Sequence, residues 1–334
     1  MKPVTLKDLS KYLLLSTSTV SRALSGDKNI RKETRDVVLD AAQKLGYKPN
    51  LIAKNLKLGR SFSIGVIVPE MVTPFAAKVI EGIQQTAVLK GYRVMVAQSS
   101  EDPEIERKNL LMMKEFHVDG IIMSMCHKTH NIDLCVEFQE SGIPIVLYDR
   151  IAPSLKVPKV IVNDYEGAKA IVEHLIKNGR KNIVYLQAPD YIYNATERLR
   201  GYQDALYQFD LKFDSKLLVK TKLTFDGGMK AAKKLLKRNI EFDAIFAFTD
   251  TMAIGAMNYL REQDISVPKD VAIAGFSGTE LSTIVYPKLT TVEQPLHDMG
   301  IEAANLIIQQ LEKNLKTEKI VVFDTKLKIR DSTC

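Results

Sequence analysis

From residue 63 to about 277, short apolar runs alternate with longer amphipathic ones, and this pattern restricts the fold more than any other feature of the chain. SIGVIVP (63–69), YRVMVAQSS, VDGIIMSM, IPIVLYD (143–149) and KVIVND (159–164) read as buried strands. FAAKVIEGIQQTAVLKGY, closed by Gly91, and residues 103–117 read as helices between them. A second series follows. A helix over 165–178 leads to NIVYLQA, a helix over 197–208 to KLLVK, a helix over 227–237 to DAIFAFTD, and a helix over 251–263 to VAIAGFS. Near-continuous apolar strands alternating with helices predict parallel sheets covered on both faces. Two consecutive series predict two similar lobes, with a ligand outside the carboxyl ends of the strands.

The first 60 residues have a different texture. They carry 13 Lys and Arg against 5 Asp and Glu, whereas the rest of the chain carries 34 against 35. All the excess of the +7 net charge therefore sits on a small leading unit, which suggests a polyanionic partner for it. Leu6, Leu9, Tyr12 and Leu13 have helical spacing behind Thr5, a good N-cap. STSTVSRAL (16–24) makes a second helix capped by Ser16, with Val20, Ala23 and Leu24 inward and Gly26 past its end. A third runs from Arg31 to Leu45, with Val37, Val38, Ala41, Ala42 and Leu45 inward and Gly46 closing it.

Two short helices joined by a tight turn and covered by a third make a helix-turn-helix. The hydroxyl-rich second helix then has a purpose. Short side chains let it enter a major groove about 12 Å wide, and an arginine can pair bidentately with guanine. Its N-terminus favours a phosphate. The alternative is a small bundle with a merely solvated hydroxyl face.

These residues carry a resemblance. VTLKDLSKYLLLSTSTVSRALSG, followed by ETRDVVLDAAQKLGYKPNLIAKNL, is similar to the N-terminal domain of the lac repressor family of bacterial transcription regulators. The later motifs N-D-x-x-G-A (163–168), H-L-I-x-x-G (174–179), R-x-x-G-Y (198–202), T-D-x-M-A-I-G-A (249–256) and L-T-T-V-x-Q-P (289–295) extend it over the large domain. The resemblance implies an N-terminal all-α helix-turn-helix domain and an α/β periplasmic-binding-protein-like effector domain of two doubly wound parallel-sheet lobes. It places Thr17, Ser18 and Arg22 as base readers, and Thr5, Ser16, Ser21, Asn29 and Thr34 as phosphate or backbone contacts. It makes 50–60 a hinge that becomes helical on DNA, with Leu56 wedged into the minor groove and Asn50 and Ala53 beside it. On its own the hinge is too short for a stable helix.

The expected domains are residues 1–49, the hinge 50–60 and an effector domain 61–334. Lobe 1 would hold about 61–162 and 292–319, and lobe 2 about 163–291 and 320–330. Effector candidates are Phe75, Asp149, Arg198, Phe225 and Asp250, with Arg198 and Asp250 foremost. They supply aromatic faces and strong hydrogen-bonding groups for a sugar, a sugar acid or a sugar phosphate.

Two places depart from the family pattern. Leu14 stands in the turn where glycine is usual, so it must adopt a costly conformation or reshape the turn. Ser277-Gly278 stands where the family often has G-F-D-D, so a carboxylate is missing from the cleft rim, which weakens the case for a neutral sugar and strengthens that for an anionic ligand.

The expected function is a ligand-responsive DNA-binding regulator, with a sugar-binding or transport receptor as the rival. No apolar leader follows Met1, and no run of about 18 apolar residues exists, so a cytoplasmic protein is expected. Three scattered cysteines make no disulfide framework. Cys126, His127, His130 and Cys135 have metal-like chemistry but match no standard zinc spacing, and no metal or cofactor is expected. P-loop, G-x-S-x-G and H-E-x-x-H motifs are absent, so nothing argues for catalysis. The regulator is expected to act as a homodimer, and no leucine heptad follows Ile329, so no C-terminal tetramerisation helix is expected.

Overall fold

The structure is a computed structural model that describes residues 4–47, 59–313 and 317–334. The chain forms two compact units, residues 1–61 and 62–334. Asn50, Ala53 and Leu56 lie outside the described residues.

In the first unit the helices are Leu6–Leu13, Thr17–Leu24 and Lys32–Lys44. Their starts follow from their caps. Thr5 and Asp8 form a reciprocal capping box, and the Ser16 hydroxyl accepts the Thr19 N–H at 3.1 Å. Leu9, Val20, Ala23, Val38, Ala41 and Ala42 make the core, with Leu24 and Leu45 partly buried against it. Val37, expected inward, is 55% exposed. It precedes the fully buried Val38, and adjacent helical positions point about 100° apart, so only one of the two can face so small a core.

Leu14 takes the costly option. It ends the first helix in the left-handed region, at φ 50° and ψ 34°, with its side chain 92% exposed. A β-carbon there costs roughly 1–2 kcal/mol, and almost no buried area offsets it. Leu14→Gly should therefore stabilise this unit by about 1 kcal/mol. A higher thermal midpoint for the unit's unfolding checks this, and a fall would show that the leucine contributes a contact.

The second unit contains two six-stranded sheets. The first has the order β11-β5-β4-β3-β1-β2, and all its pairings are parallel. Its strands are β1 (Ser63–Val68), β2 (Arg93–Gln98), β3 (Gly120–Met123), β4 (Ile145–Tyr148), β5 (Lys159–Val162) and β11 (Ile320–Phe323). Helices Pro74–Leu89 and Leu296–Lys313 cover one face through Val79, Ile83, Met299 and Ile307. Helices Pro103–Glu115 and Ile132–Glu140 cover the other through Leu110, Met113, Leu134 and Phe138.

The second sheet has the order β12-β10-β9-β8-β6-β7. It comprises β6 (Ile183–Gln187), β7 (Leu218–Lys220), β8 (Ala244–Ala247), β9 (Ala272–Ser277), β10 (Thr290–Glu293) and β12 (Lys326–Lys328). Helices Asp164–Lys177 and Tyr193–Gln208 pair with each other, as do Phe225–Lys237 and Asp250–Glu262.

The chain passes between the sheets three times, and two of the crossings differ from expectation. β10 pairs with β9 through Glu293, so the return lies at Gln294-Pro295, three residues past the approximate 291 expected. β11 pairs in parallel with β5 and β12 antiparallel with β10, so the last crossing lies at 324–325 instead of 319. Apolar runs alone do not say which sheet edge a late strand joins. That choice rests on pairing with residues about 160 positions earlier in the chain.

Candidate functional site

The recognition face of the first unit comes from the helix Thr17–Leu24. Thr17, Ser18 and Arg22 are exposed on it, Ser21 is half-buried, and Val20 and Ala23 point inward. The Ser16 hydroxyl lies 2.8 Å from those of Ser18 and Thr19, so a hydroxyl network surrounds the helix N-terminus. Asn29 is exposed and Thr34 half-buried. The Thr5 hydroxyl bonds the Asp8 carboxylate at 2.6 Å, so capping already engages it.

In the second unit a cavity of about 750 Å³ opens between the lobes, at the carboxyl ends of both sheets. Its walls include Phe75, Asp149, Arg198 and Asp250, four of the five candidates. Phe225 is not among them, although its neighbours Leu223 and Thr224 are. The double glycine explains this. A β-carbon on Gly228 would stand 2.1 Å from the Met252 carbonyl, and one on Gly255 2.0 Å from that of Phe225. The glycines bring two helices together, and the Phe225 ring stays outside, 41% exposed.

Arg198 is 2% exposed. Its guanidinium lies between Phe248 and Phe276, 4.2 and 3.6 Å from their ring centroids. Nε donates to Asp164 Oδ1 at 2.7 Å and Nη1 to the Phe248 carbonyl at 2.5 Å. These two bonds leave Nη2 without a hydrogen bond to the protein among the described residues, and Arg198 is part of the cavity wall.

Burial lifts the Asp164 carboxyl to about 6, against the pull of Arg198, while Asp149 nearby adds to the rise. Near pH 5 the folded chain thus holds a proton that the unfolded chain has released. This group's contribution to stability is complete below the unfolded value of 3.8 and is lost as pH rises through 6. Asp164→Asn should remove that dependence. Unfolding midpoints between pH 4 and 7 should vary less in the variant than in the wild type, and superimposable profiles would contradict the assignment.

Asp149 ends β4 at φ 54° and accepts a 3.1 Å hydrogen bond from Asn194 Nδ2. Burial pushes its carboxyl up, opposed by Arg150 and Arg198. Asp250, one of the two foremost candidates, is already engaged. Its oxygens accept the Thr291 hydroxyl at 2.5 Å, the Thr279 N–H at 2.9 Å and the Thr279 hydroxyl at 3.1 Å. It braces the rim segment 277–279 from inside the wall. In that segment Ser277 is held at φ 135°, a conformation L-residues rarely adopt.

The expectation of an anionic ligand does not fit the walls. Glu70, Glu101, Asp102, Asp149 and Asp250 line the cavity against Arg150, Arg198 and Lys222. Arg150 is moreover paired with both oxygens of Glu101, at 2.9 and 2.7 Å. Losing one carboxylate at position 277 leaves a surplus of them elsewhere in the cleft.

Sequence reasoning missed Asn194 and Ser124. Both are 1% exposed, and among the described residues Asn194 Oδ1 and Ser124 Oγ have no hydrogen-bond partner. Buried orphan polar atoms in a cavity wall are ready ligand contacts. Asn194 stands four residues before Arg198 on one helix, so i, i+4 spacing was a usable signal. Ser124 follows directly on β3, at a strand's carboxyl end. Cys126 and Cys135, by contrast, turn into the core, where burial raises both thiols. Among the described residues no group of three His, Cys, Asp or Glu could hold a metal ion.

Comparison with known proteins agrees with this architecture. Residues 5–50 match the bacterial regulatory proteins of the lacI family, and residues 61–329 the periplasmic binding proteins and sugar binding domain of the LacI family. The chain belongs to the LacI family. It is similar to catabolite control protein A of Priestia megaterium, at 32% identity over 99% of both chains. A transcriptional regulator CelR–cellobiose complex shares 27% identity over 98% of this chain and 99% of that one, with a TM-score of 0.76. A lac repressor dimer bound to operator and an anti-inducer shares the fold, at 24% identity over 99% of both chains and a TM-score of 0.87. The family member described here is therefore a DNA-binding transcription regulator with a helix-turn-helix and a sugar-binding-type domain. Among its described residues no helix is long and apolar enough to cross a membrane.

Proposed function

We propose that the chain is a cytoplasmic, non-catalytic repressor that binds a near-palindromic operator as a homodimer and responds to a neutral, polyhydroxylated sugar in the interlobe cleft. The observation that carries the ligand class is the cleft itself. It offers an aromatic face at Phe75, the Arg198 guanidinium, unengaged hydrogen-bonding atoms on Asn194 and Ser124, and more carboxylates than cations. Hydroxyl groups can use such donors and acceptors, whereas a carboxylate or phosphate would meet like charge. The cellobiose in the CelR complex is consistent with this class.

The proposed base readers are Thr17, Ser18 and Arg22, with Thr5, Ser16, Ser21, Asn29 and Thr34 toward the backbone. Asn50, Ala53 and Leu56 would form the hinge contacts. The proposed effector residues are Phe75, Asp149, Arg198, Asn194 and Ser124. The proposed dimerisation surface lies on the second unit. Val72, Ile284 and Tyr286 are 88%, 74% and 81% exposed. Met71 N–H bonds Gln98 at the end of edge strand β2, and Lys78 lies 3.9 Å from Glu280, which draws these segments together. One recognition helix reads one half-site, so two chains should select two inverted half-sites.

The test has two arms. A thermal-shift panel of neutral sugars, sugar acids and sugar phosphates should raise the midpoint with neutral sugars only, by ligand linkage. Selection from random DNA should return an inverted repeat bound by two chains, and deletion of residues 1–60 should abolish binding. Shifts confined to phosphorylated sugars would overturn the ligand class, and a single half-site bound by one chain would overturn the dimer.

A further inference from the structure

Two loops meet across the cleft by a contact that neither the cavity chemistry nor DNA binding requires. Residues 124–131 follow β3 in the first lobe, and residues 188–192 follow β6 in the second. The Lys128 N–H donates to the Tyr191 carbonyl at 2.9 Å, a backbone hydrogen bond between the lobes. Beside it the rings of Tyr191, His127 and His130 form a continuous stack. His127 lies 4.8 Å from Tyr191 at 12° and 4.0 Å from His130 at 10°. Tyr191 also lines the cavity.

We propose that the Tyr191–His127–His130 stack is an interlobe latch that requires a neutral His127, and that His127 thereby positions Tyr191 as a wall of the ligand cleft. The functional consequence rests on the reading of the cleft as the effector site; the latch itself does not.

The protonation state follows from geometry. The Thr129 N–H donates to His127 Nδ1 at 3.2 Å, which makes Nδ1 an acceptor and leaves the ring proton on Nε2. The Thr129 hydroxyl lies 3.1 Å from the same nitrogen. A proton added at Nδ1 would face the Thr129 N–H and break that bond. The surroundings act in the same direction. Burial, then the charges of His130 and Lys128, hold the His127 imidazole below its ordinary 6.5. From the second lobe the facing group is the Tyr191 phenol, whose own charged neighbours are Glu101 and Arg150. A depressed histidine value means that stability from the neutral ring is present above 6.5 and is lost as pH falls below it.

Amide exchange on the full, sugar-free chain tests the latch independently of any effector. At pH 7.5 the Lys128 amide should lose about two- to tenfold of its protection in His127→Ala and in Tyr191→Leu, the size expected of one aromatic pair. His127→Phe keeps a flat ring and should retain the protection. Between pH 7.5 and 5.5 the wild type should lose protection beyond the change in intrinsic exchange, while His127→Phe should not. The amides of β3 and β6 report whether each variant is folded. Unchanged Lys128 protection in folded His127→Ala or Tyr191→Leu would overturn the proposal, as would identical pH behaviour of the wild type and His127→Phe. If the sugar panel fails while these results hold, the effector reading falls and the latch stands.

Discussion

Arg198→Met should cost about 3–5 kcal/mol of stability and abolish the thermal response to sugars. The stability loss follows from what the substitution leaves behind. Asp164 is 5% exposed and its ion-pair partner is Arg198, so removing the guanidinium strands a carboxylate in the protein interior. Breaking a buried pair from one side costs several kcal/mol, whereas removing both charges is often nearly neutral. The double variant Arg198→Met/Asp164→Asn should therefore recover much of the loss in urea unfolding. Its sugar response should stay absent, because the Arg198 guanidinium in the cavity wall is still missing. Recovery of both properties would show that Arg198 holds the lobe together without contacting the ligand. A single variant as stable as the wild type would show that the pair contributes little.

Arg22→Ala should weaken operator binding by about 1–3 kcal/mol, roughly five- to 150-fold, and relax the base preference at one position of each half-site. Arg22 is exposed on the helix whose inner face, Val20 and Ala23, is buried, so its loss should leave the unit folded. Affinity for unrelated DNA should change much less, because a base contact adds little to backbone electrostatics. Parallel titrations on operator and non-operator duplexes at one salt concentration would read the difference. Equal losses on both would make Arg22 a phosphate contact.

The local signals in the chain were decisive for its elements. Periodicity marked β1 to β9 and most of the helices but not β10, β11 and β12, and Thr5, Ser16, Gly26 and Gly46 punctuated the first unit where the structure places its helix ends. Leu14 was legible as a conformational cost once the resemblance set it where glycine is usual, because a β-carbon in a left-handed turn is a local matter. Arg198 and Asp149 were also legible, since strand ends and a compact motif point to the cleft of a doubly wound sheet.

Tertiary structure decided everything that depends on which distant groups meet. Asp250 lines the cavity as a strand-end carboxylate, but its bracing of the rim came only with Thr279 and Thr291, 29 and 41 residues away. Phe225 was drawn out of the cleft by a helix contact made through Gly228 and Gly255. The crossings at 294–295 and 324–325 followed from late strands choosing their sheets. His127 and Tyr191 lie 64 positions apart and meet only because two separate lobes bring their loops together. Sequence encodes propensity, burial pattern and capping residue by residue. The partner of a polar group is set by chain geometry, and for a buried charge that partner fixes its role.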